Sequence, residues 1–205
     1  MMKFNKKTAF IFSMLCAIVA AMMITMIGFD DSCSEMKDNI LRIRILANSD
    51  SDYDQQLKLG LRDEILKESQ NLFDGAGSYE EAQALVNENK QGLLGAAKSY
   101  LEKAGAQYDV KLEIKPEFFD TRNYESFTLP AGYYQTAVFT LGEGKGQNWW
   151  CVIYPEVCVG SCTERLNTAG SDDAADIAYS AKRYTVKFKT VEIFEKIKKC
   201  FNLSK

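Results

Sequence analysis

The sequence predicts an α+β domain carried behind an N-terminal signal or anchor helix, and three observations lead there. The chain of 205 residues opens with an uncharged run from Ala9 to Phe29. Two stretches of helical periodicity follow it. Beyond Gly105 the period changes to alternation, so the second half reads as a mainly antiparallel sheet, with two to three helices packed on it.

As a helix, Ala9 to Phe29 is about 30 Å long, enough to cross a hydrocarbon core. Lys3, Lys6 and Lys7 precede it, and Asp30, Asp31 and Glu35 follow it. That lysine bias places the N-terminus in the cytoplasm and the rest outside. A buried core helix would carry polar interruptions, which this run lacks. Its length favours an anchor over a signal-peptide apolar core, while Ser32-Cys33-Ser34 supplies a small-x-small cleavage pattern. Cutting there would leave four of the six cysteines, an even number. Residues 1–34 are therefore read as signal peptide or signal anchor, with cleavage near Ser34 expected. Residues 35–205 are read as one extracytoplasmic domain, compact from about Asn39.

Leu41-Arg-Ile-Arg-Ile45 alternates apolar and basic residues and predicts a strand with Leu41, Ile43 and Ile45 on one face. Asn48 to Ser51 ends it. From Asp52 to about Ser69, Tyr53, Leu57, Leu61 and Ile65 recur every four residues, a helix with Lys58, Arg62 and Glu64 turned away. Ser78-Tyr-Glu-Glu81 is a capping box opening a second helix, inward at Ala82, Leu85, Val86, Leu93, Ala97 and Leu101 and stopped by Gly105. Tyr108, Val110, Leu112 and Ile114 share one face of a strand expected to end at Pro116. Tyr134 to Leu141 and Asn148 to Tyr154 read as strands joined by a hairpin at Gly142-Glu-Gly-Lys-Gly146. A polar loop is expected from Thr163 to Asp176, then a strand through Tyr184, Val186 and Phe188, and a short helix from Val191 to Phe201.

The chain contains no histidine. That removes Ser-His-Asp and Cys-His pairs, H-E-x-x-H zinc sites and histidine bases together. No catalytic set is assigned, and no cofactor or metal is called for. Cys151, Cys158 and Cys162 lack a paired C-x-x-C, which weighs against zinc. A net charge of −3 without a Lys/Arg-rich stripe counts against a nucleic-acid partner. Asp50-Ser-Asp52-Tyr-Asp54 begins like a calcium loop, but Gln55 replaces the turn glycine and Leu61 the bidentate glutamate. Acids gathered at a helix N-terminus explain it better, with Asp50 or Ser51 as the cap. The glycines at 142, 144 and 146 precede no helix, so a phosphate loop is not expected. Trp149 and Trp150 are adjacent, so in a strand one points inward and the other outward, either exposed as an interface anchor or covered by a helix or loop. Cys151 and Cys158 flank a bend containing Pro155; they either bridge it or stand as two buried thiols.

Four stretches together resemble the stage II sporulation protein R family. They are Arg42-Ile-Arg-Ile-Leu-Ala-Asn-Ser-Asp-Ser51, with Asp54-Gln-Gln-Leu-Lys-Leu59 and Arg62-Asp63 after it; Asp120-Thr-Arg-Asn-Tyr124; Phe127-Thr-Leu-Pro-Ala-Gly132; and Leu141-Gly-Glu-Gly-Lys-Gly-Gln-Asn-Trp-Trp-Cys151. Cys158 also falls where the family pattern has a cysteine. The chain departs from the pattern at Arg44, where the family often has histidine, and at Pro155-Glu156, where it has Pro-Pro.

The resemblance implies an exported sporulation signal in the space between forespore and mother-cell membranes. Its expected partner is a membrane-embedded protease that matures a sigma-factor precursor, activated by contact rather than by catalysis. On that reading Asn48, Ser49, Asp50, Arg122, Trp149 and Trp150 are the candidate contact surface. The competing reading is a cell-wall glycan-binding module or carboxylate-based hydrolase using Tyr133, Tyr134 and one of the tryptophans.

Overall fold

The computed structural model describes residues 6–73, 75–124, 127–155 and 172–200. Its first element is helix α1, Lys6–Asp38. Strand β1 (Leu41–Leu46) leads into α2 (Asp52–Phe73), α3 (Tyr79–Glu88) and α4 (Lys90–Lys103). Then come β2 (Val110–Phe119), the short β3 (Arg122–Asn123) and β4 (Thr128–Leu129), β5 (Gly132–Leu141) and β6 (Asn148–Tyr154). Helices α5 (Asp172–Tyr179) and α6 (Ala181–Cys200) complete the described chain.

The α+β class holds, and the sheet is mixed: two of its three pairings are antiparallel and one, β1 with β5, is parallel. Its order is β2-β5-β1-β6, and β3 pairs with β4 in a separate ribbon. β1 lies between β5 and β6, parallel to β5 with Leu41 opposite Gln135 and antiparallel to β6 with Leu46 opposite Asn148. The segment Gly142–Gly146 is therefore no hairpin. It passes over the end of β1 to join two strands that are not neighbours, a span of roughly twice the 4.8 Å strand spacing.

Each face of the sheet has its own core. Leu41, Ile43, Ile45, Val110, Leu112, Ala137, Phe139, Leu141 and Ile153 meet Leu61 and Ile65 of α2, Ala82 and Val86 of α3 and Leu93, Ala97 and Leu101 of α4. These are the apolar positions that the sequence periodicity marks, and their burial drives this layer. The opposite face buries Tyr134, Val152 and Phe119 under Phe29, Cys33 and Met36 of α1, Ala174, Ile177 and Ala178 of α5, and Phe188 and Val191 of α6. The packed core thus begins at Phe29, inside the segment assigned to signal or anchor. Phe29 packs tilted against Tyr184 and edge-on to Phe188 with centroids 5.6 and 5.2 Å apart. Lys37 and Glu195 form a buried ion pair at 3.2 Å.

Ahead of Phe29, α1 leaves Phe10, Ile11, Phe12, Met14, Leu15, Ile18, Ile24 and Ile27 exposed. Among the described residues no helix is long and apolar enough to cross a membrane.

Several local expectations are corrected. The helix expected from Ser78 to Gly105 is two helices, parted at Asn89, whose side-chain amide donates to the Leu85 carbonyl at 2.9 Å and competes with the next turn. Ser78 caps α3 by accepting from the Glu81 amide, but Glu81 accepts in return from Gly77 rather than from Ser78. β2 runs through Pro116 to Phe119, which an edge strand tolerates because proline withholds no bond from a neighbour there. No strand spans Tyr184 to Phe188. Those residues lie in α6, where Tyr184, Phe188 and Val191 follow a helical spacing toward the core while Val186 is 79% exposed. The expected loop ends early, since α5 occupies Asp172–Tyr179; positions 163–171 and Phe201 lie outside the described residues.

Candidate functional site

The candidate residues fall into two clusters at the β6 side of the sheet. The first is the turn after β1, which is interlocked with the loop between β5 and β6. Ala47 and Asn48 accept through their carbonyls from the Gly146 and Lys145 amides at 2.9 and 3.1 Å. The Asn48 side chain accepts from the Glu143 amide at 3.0 Å and donates to Asp54 at 2.9 Å. Asp50 accepts from the Gln147 amide at 2.7 Å. Ser51, not Asp50, is the cap of α2, accepting from the Asp54 amide at 3.2 Å.

Asp54 is the hub. It is 4% exposed, and no cation pairs with it among the described residues. Ser49 donates to its Oδ2 at 2.5 Å and Tyr108 to its Oδ1 at 2.6 Å. Burial would raise its pKa, but the donors from Ser49, Tyr108, Asn48 and Ser51 hold it below the ordinary value of 3.8. Burial and the bond to Asp54 push the Tyr108 phenol up. Lys58, expected to face solvent, is 6% exposed and donates to Gln55 and to the Gln147 carbonyl at 2.6 and 3.3 Å. A carboxylate with both oxygens engaged and a depressed pKa is a poor base. This cluster is a clamp, and Asn48, Ser49 and Asp50 are its hydrogen-bonding teeth.

Gly146 explains the closeness of that clamp. A Cβ there would overlap the Ser49 carbonyl oxygen, so the two backbones touch only because the residue is glycine. Gly142 adds a φ of +53°.

The second cluster surrounds Trp150. Alternation along β6 sends Trp149 and Trp150 to opposite faces, but both faces carry helices, so both indoles are half-buried and neither is a bare anchor. The Arg62 guanidinium lies 5.8 Å from the Trp149 ring. The guanidinium of Arg122, in β3, lies 3.6 Å from the Trp150 ring centroid. On the same face Arg42, the second residue of β1, is fully buried, with its guanidinium 3.8 Å from the Phe119 centroid, 5.1 Å from Tyr134 and 5.9 Å from Trp150. Its Nη2 donates to the Tyr124 hydroxyl at 3.0 Å, while Nε and Nη1 have no partner. Burial pulls its pKa down, countered by Tyr124 and Tyr134 and reinforced by Arg122.

Tyr134, expected to offer a sugar-stacking face, is 1% exposed and donates to the Pro130 carbonyl at 2.6 Å. Cys151 is disulfide-bonded, and its candidate partner Cys158 lies outside the described residues. Cys16, Cys33 and Cys200 are free thiols, with burial pushing Cys33 up to about 12. Among the described residues no group of three His, Cys, Asp or Glu side chains is placed to hold a metal ion. A groove of about 410 Å³ between Leu72, Ala76 and Leu85 includes none of the candidate residues.

The sequence reading brought out Asn48 to Asp50, Arg122 and the tryptophans but missed Asp54 as a hub and Arg42 as a buried charge. Alternation sets Arg42 on the face opposite Leu41, Ile43 and Ile45, and nothing along the chain marks that face as covered.

Both clusters lie within one stretch that comparison with known proteins picks out. The family profile described as stage II sporulation protein R matches residues 37–164. The chain belongs to the stage II sporulation protein R family. The protein called stage II sporulation protein R of Bacillus subtilis (strain 168) is 40% identical to it over 121 residues, 59% of this chain and 54% of that protein. The chain thus spans about half the length of the curated relative it matches. No solved structure matches it. The matched stretch takes in the turn after β1, α2 to α4, the whole sheet and the 142–147 loop; α5, α6 and nearly all of α1 lie beyond it.

Proposed function

We propose that this protein is an exported sporulation signal that activates, by contact, a membrane-embedded protease maturing a sigma-factor precursor. The observation that carries the reading is family membership across residues 37–164. The uncharged run from Ala9 to Phe29, with Lys3, Lys6 and Lys7 before it and Asp30 and Asp31 directly after it, supports passage into or across the membrane toward the space between forespore and mother cell. The clamp around Asp54 supports a contact role as well. It consumes its polar groups internally and presents the 142–147 loop in one fixed shape, which is useful to a ligand that works by recognition.

Contact activates only if the protease's active state binds this chain more tightly than its resting state, since equal affinity shifts nothing. The full chain added to membranes that hold the protease and the sigma-factor precursor is expected to stimulate precursor cleavage. Folded chain that leaves the cleavage rate unchanged would rule the reading out.

A further inference from the structure

We propose that Arg122, seated on Trp150 and backed by the buried charge of Arg42, receives a carboxylate side chain of the partner protein. The inference rests on the reading above that the partner is a protein. It starts from a charge without a counter-ion. Arg42 is fully buried, yet among the described residues no carboxylate pairs with it, and two of its nitrogens lack a hydrogen-bond acceptor. The next basic residue on the same strand face, Arg44, shows the usual solution, with Glu117 at 2.5 Å. The aromatic faces of Phe119, Tyr134 and Trp150 offer Arg42 only their quadrupoles. A second cation, Arg122, sits 3.6 Å from the centroid of the same indole.

Two like charges around one tryptophan create a positive potential that low-dielectric walls concentrate at the opening. Arg122 is that opening. It is exposed, and the nearby Asp120 is already taken by Lys196 at 2.9 Å. Contact with the indole at 3.6 Å restrains its guanidinium, and among the described residues no carboxylate pairs with it, so its N–H fork can take a planar carboxylate through two parallel hydrogen bonds. Arg42 touches no ligand in this arrangement. It acts through its field, as a positioning charge near the ring, and Tyr124 holds it there by accepting from Nη2.

The test uses the full chain at low ionic strength and a fluorescein-labelled hexaglutamate peptide read by anisotropy, with labelled hexaglutamine as the neutral control. Saturable binding of hexaglutamate and none of hexaglutamine are expected. Arg122→Met should raise the half-saturation at least ~5-fold and Arg42→Met ~3-fold, as for charges that meet a ligand directly and at a distance. Lys103→Met, at the exposed end of α4, should leave it unchanged. Arg42→Met exchanges a buried ion for an apolar chain of similar length and is expected to fold; if its melting shows otherwise, Arg42→Lys keeps the charge and should bind like the native chain. Equal half-saturation for the native chain and Arg122→Met overturns the site, as does equal binding of both peptides. No change in a folded Arg42→Met, or a loss in Arg42→Lys, removes Arg42 from it. Because no protease is present, hexaglutamate binding that survives a failed activation assay would discard the proposed receptor and keep the site.

Discussion

The two faces of the sheet are built by different physics. On one, α2, α3 and α4 bury an apolar interior whose polar business is confined to the clamp at the rim, around Asp54. On the other, α1, α5 and α6 cover an interior that includes a whole arginine and a lysine-glutamate pair. The first face comes almost wholly from the stretch shared with the family, whereas the covering helices of the second lie almost wholly beyond it. Apolar burial is insensitive to its exact partners, while buried charges demand particular ones. The shared stretch thus supplies a core that stands on pattern alone, and the chain's own ends close a face where each ion matters.

The largest expected effect tests whether the second face is as integral as the first. Phe139→Ala, at a fully buried position of the first, should cost about 3–5 kcal/mol in denaturant unfolding. Phe29→Ala, 3% exposed on α1, should cost a comparable ~3 kcal/mol if α1 belongs to the core. A loss below about 1 kcal/mol would instead mark α1 as a detachable cover. The same comparison bears on cleavage near Ser34, which lies near the C-terminal end of α1 and would remove Phe29 and the fully buried Cys33. N-terminal sequencing of the exported protein should find no chain starting at Glu35 if those side chains are needed.

Next in size is the ion pair. Lys37→Met leaves Glu195 buried with only Lys198 at 3.3 Å, and should cost about 3 kcal/mol. Lys37→Met with Glu195→Leu should recover most of that loss, because neither charge then lacks a partner. No recovery would show the pair to be more than a local compensation.

The clamp of the first face is expected to give smaller changes with a pH signature. Asp54 has a folded pKa below its ordinary 3.8, so its contribution is fully present above that value and fades as pH falls through the folded pKa. Asp54→Asn should cost about 1–3 kcal/mol at neutral pH, and the difference from the native chain should shrink below about pH 4. Gly146→Ala should cost a similar ~1–3 kcal/mol by pushing the loop off Ser49, with no pH dependence. A pH-dependent loss there would mean the loop and the carboxylate are coupled more tightly than the separate bonds imply.

How much of this was legible in the chain follows the same division. The stripe Leu57, Leu61 and Ile65, the Ser78 cap and the alternation of Leu41, Ile43 and Ile45 are local signals, and the first face obeys them because helix and strand periods are properties of neighbouring residues. The string from Gly142 to Cys151 was recognisable as a family mark, but not as half of a clamp. Its other half, Asn48 to Asp54, lies nearly a hundred positions earlier, and only the insertion of β1 between β5 and β6 brings the two together. Tyr184, Val186 and Phe188 satisfy both a strand and part of a helical stripe, and contact with Phe29 decides for the helix.

The N-terminal run shows the boundary most sharply. By itself the sequence determined that Ala9 to Phe29 is apolar and preceded by lysines, that catalysis lacks histidine, and which family the chain resembles. Only the tertiary structure decided that the helix continues to Asp38, that Phe29 and Cys33 are core, and that Arg42 is buried without an acid. The reason is that period and charge are written along the chain, whereas burial depends on which distant elements arrive on the second face of the sheet.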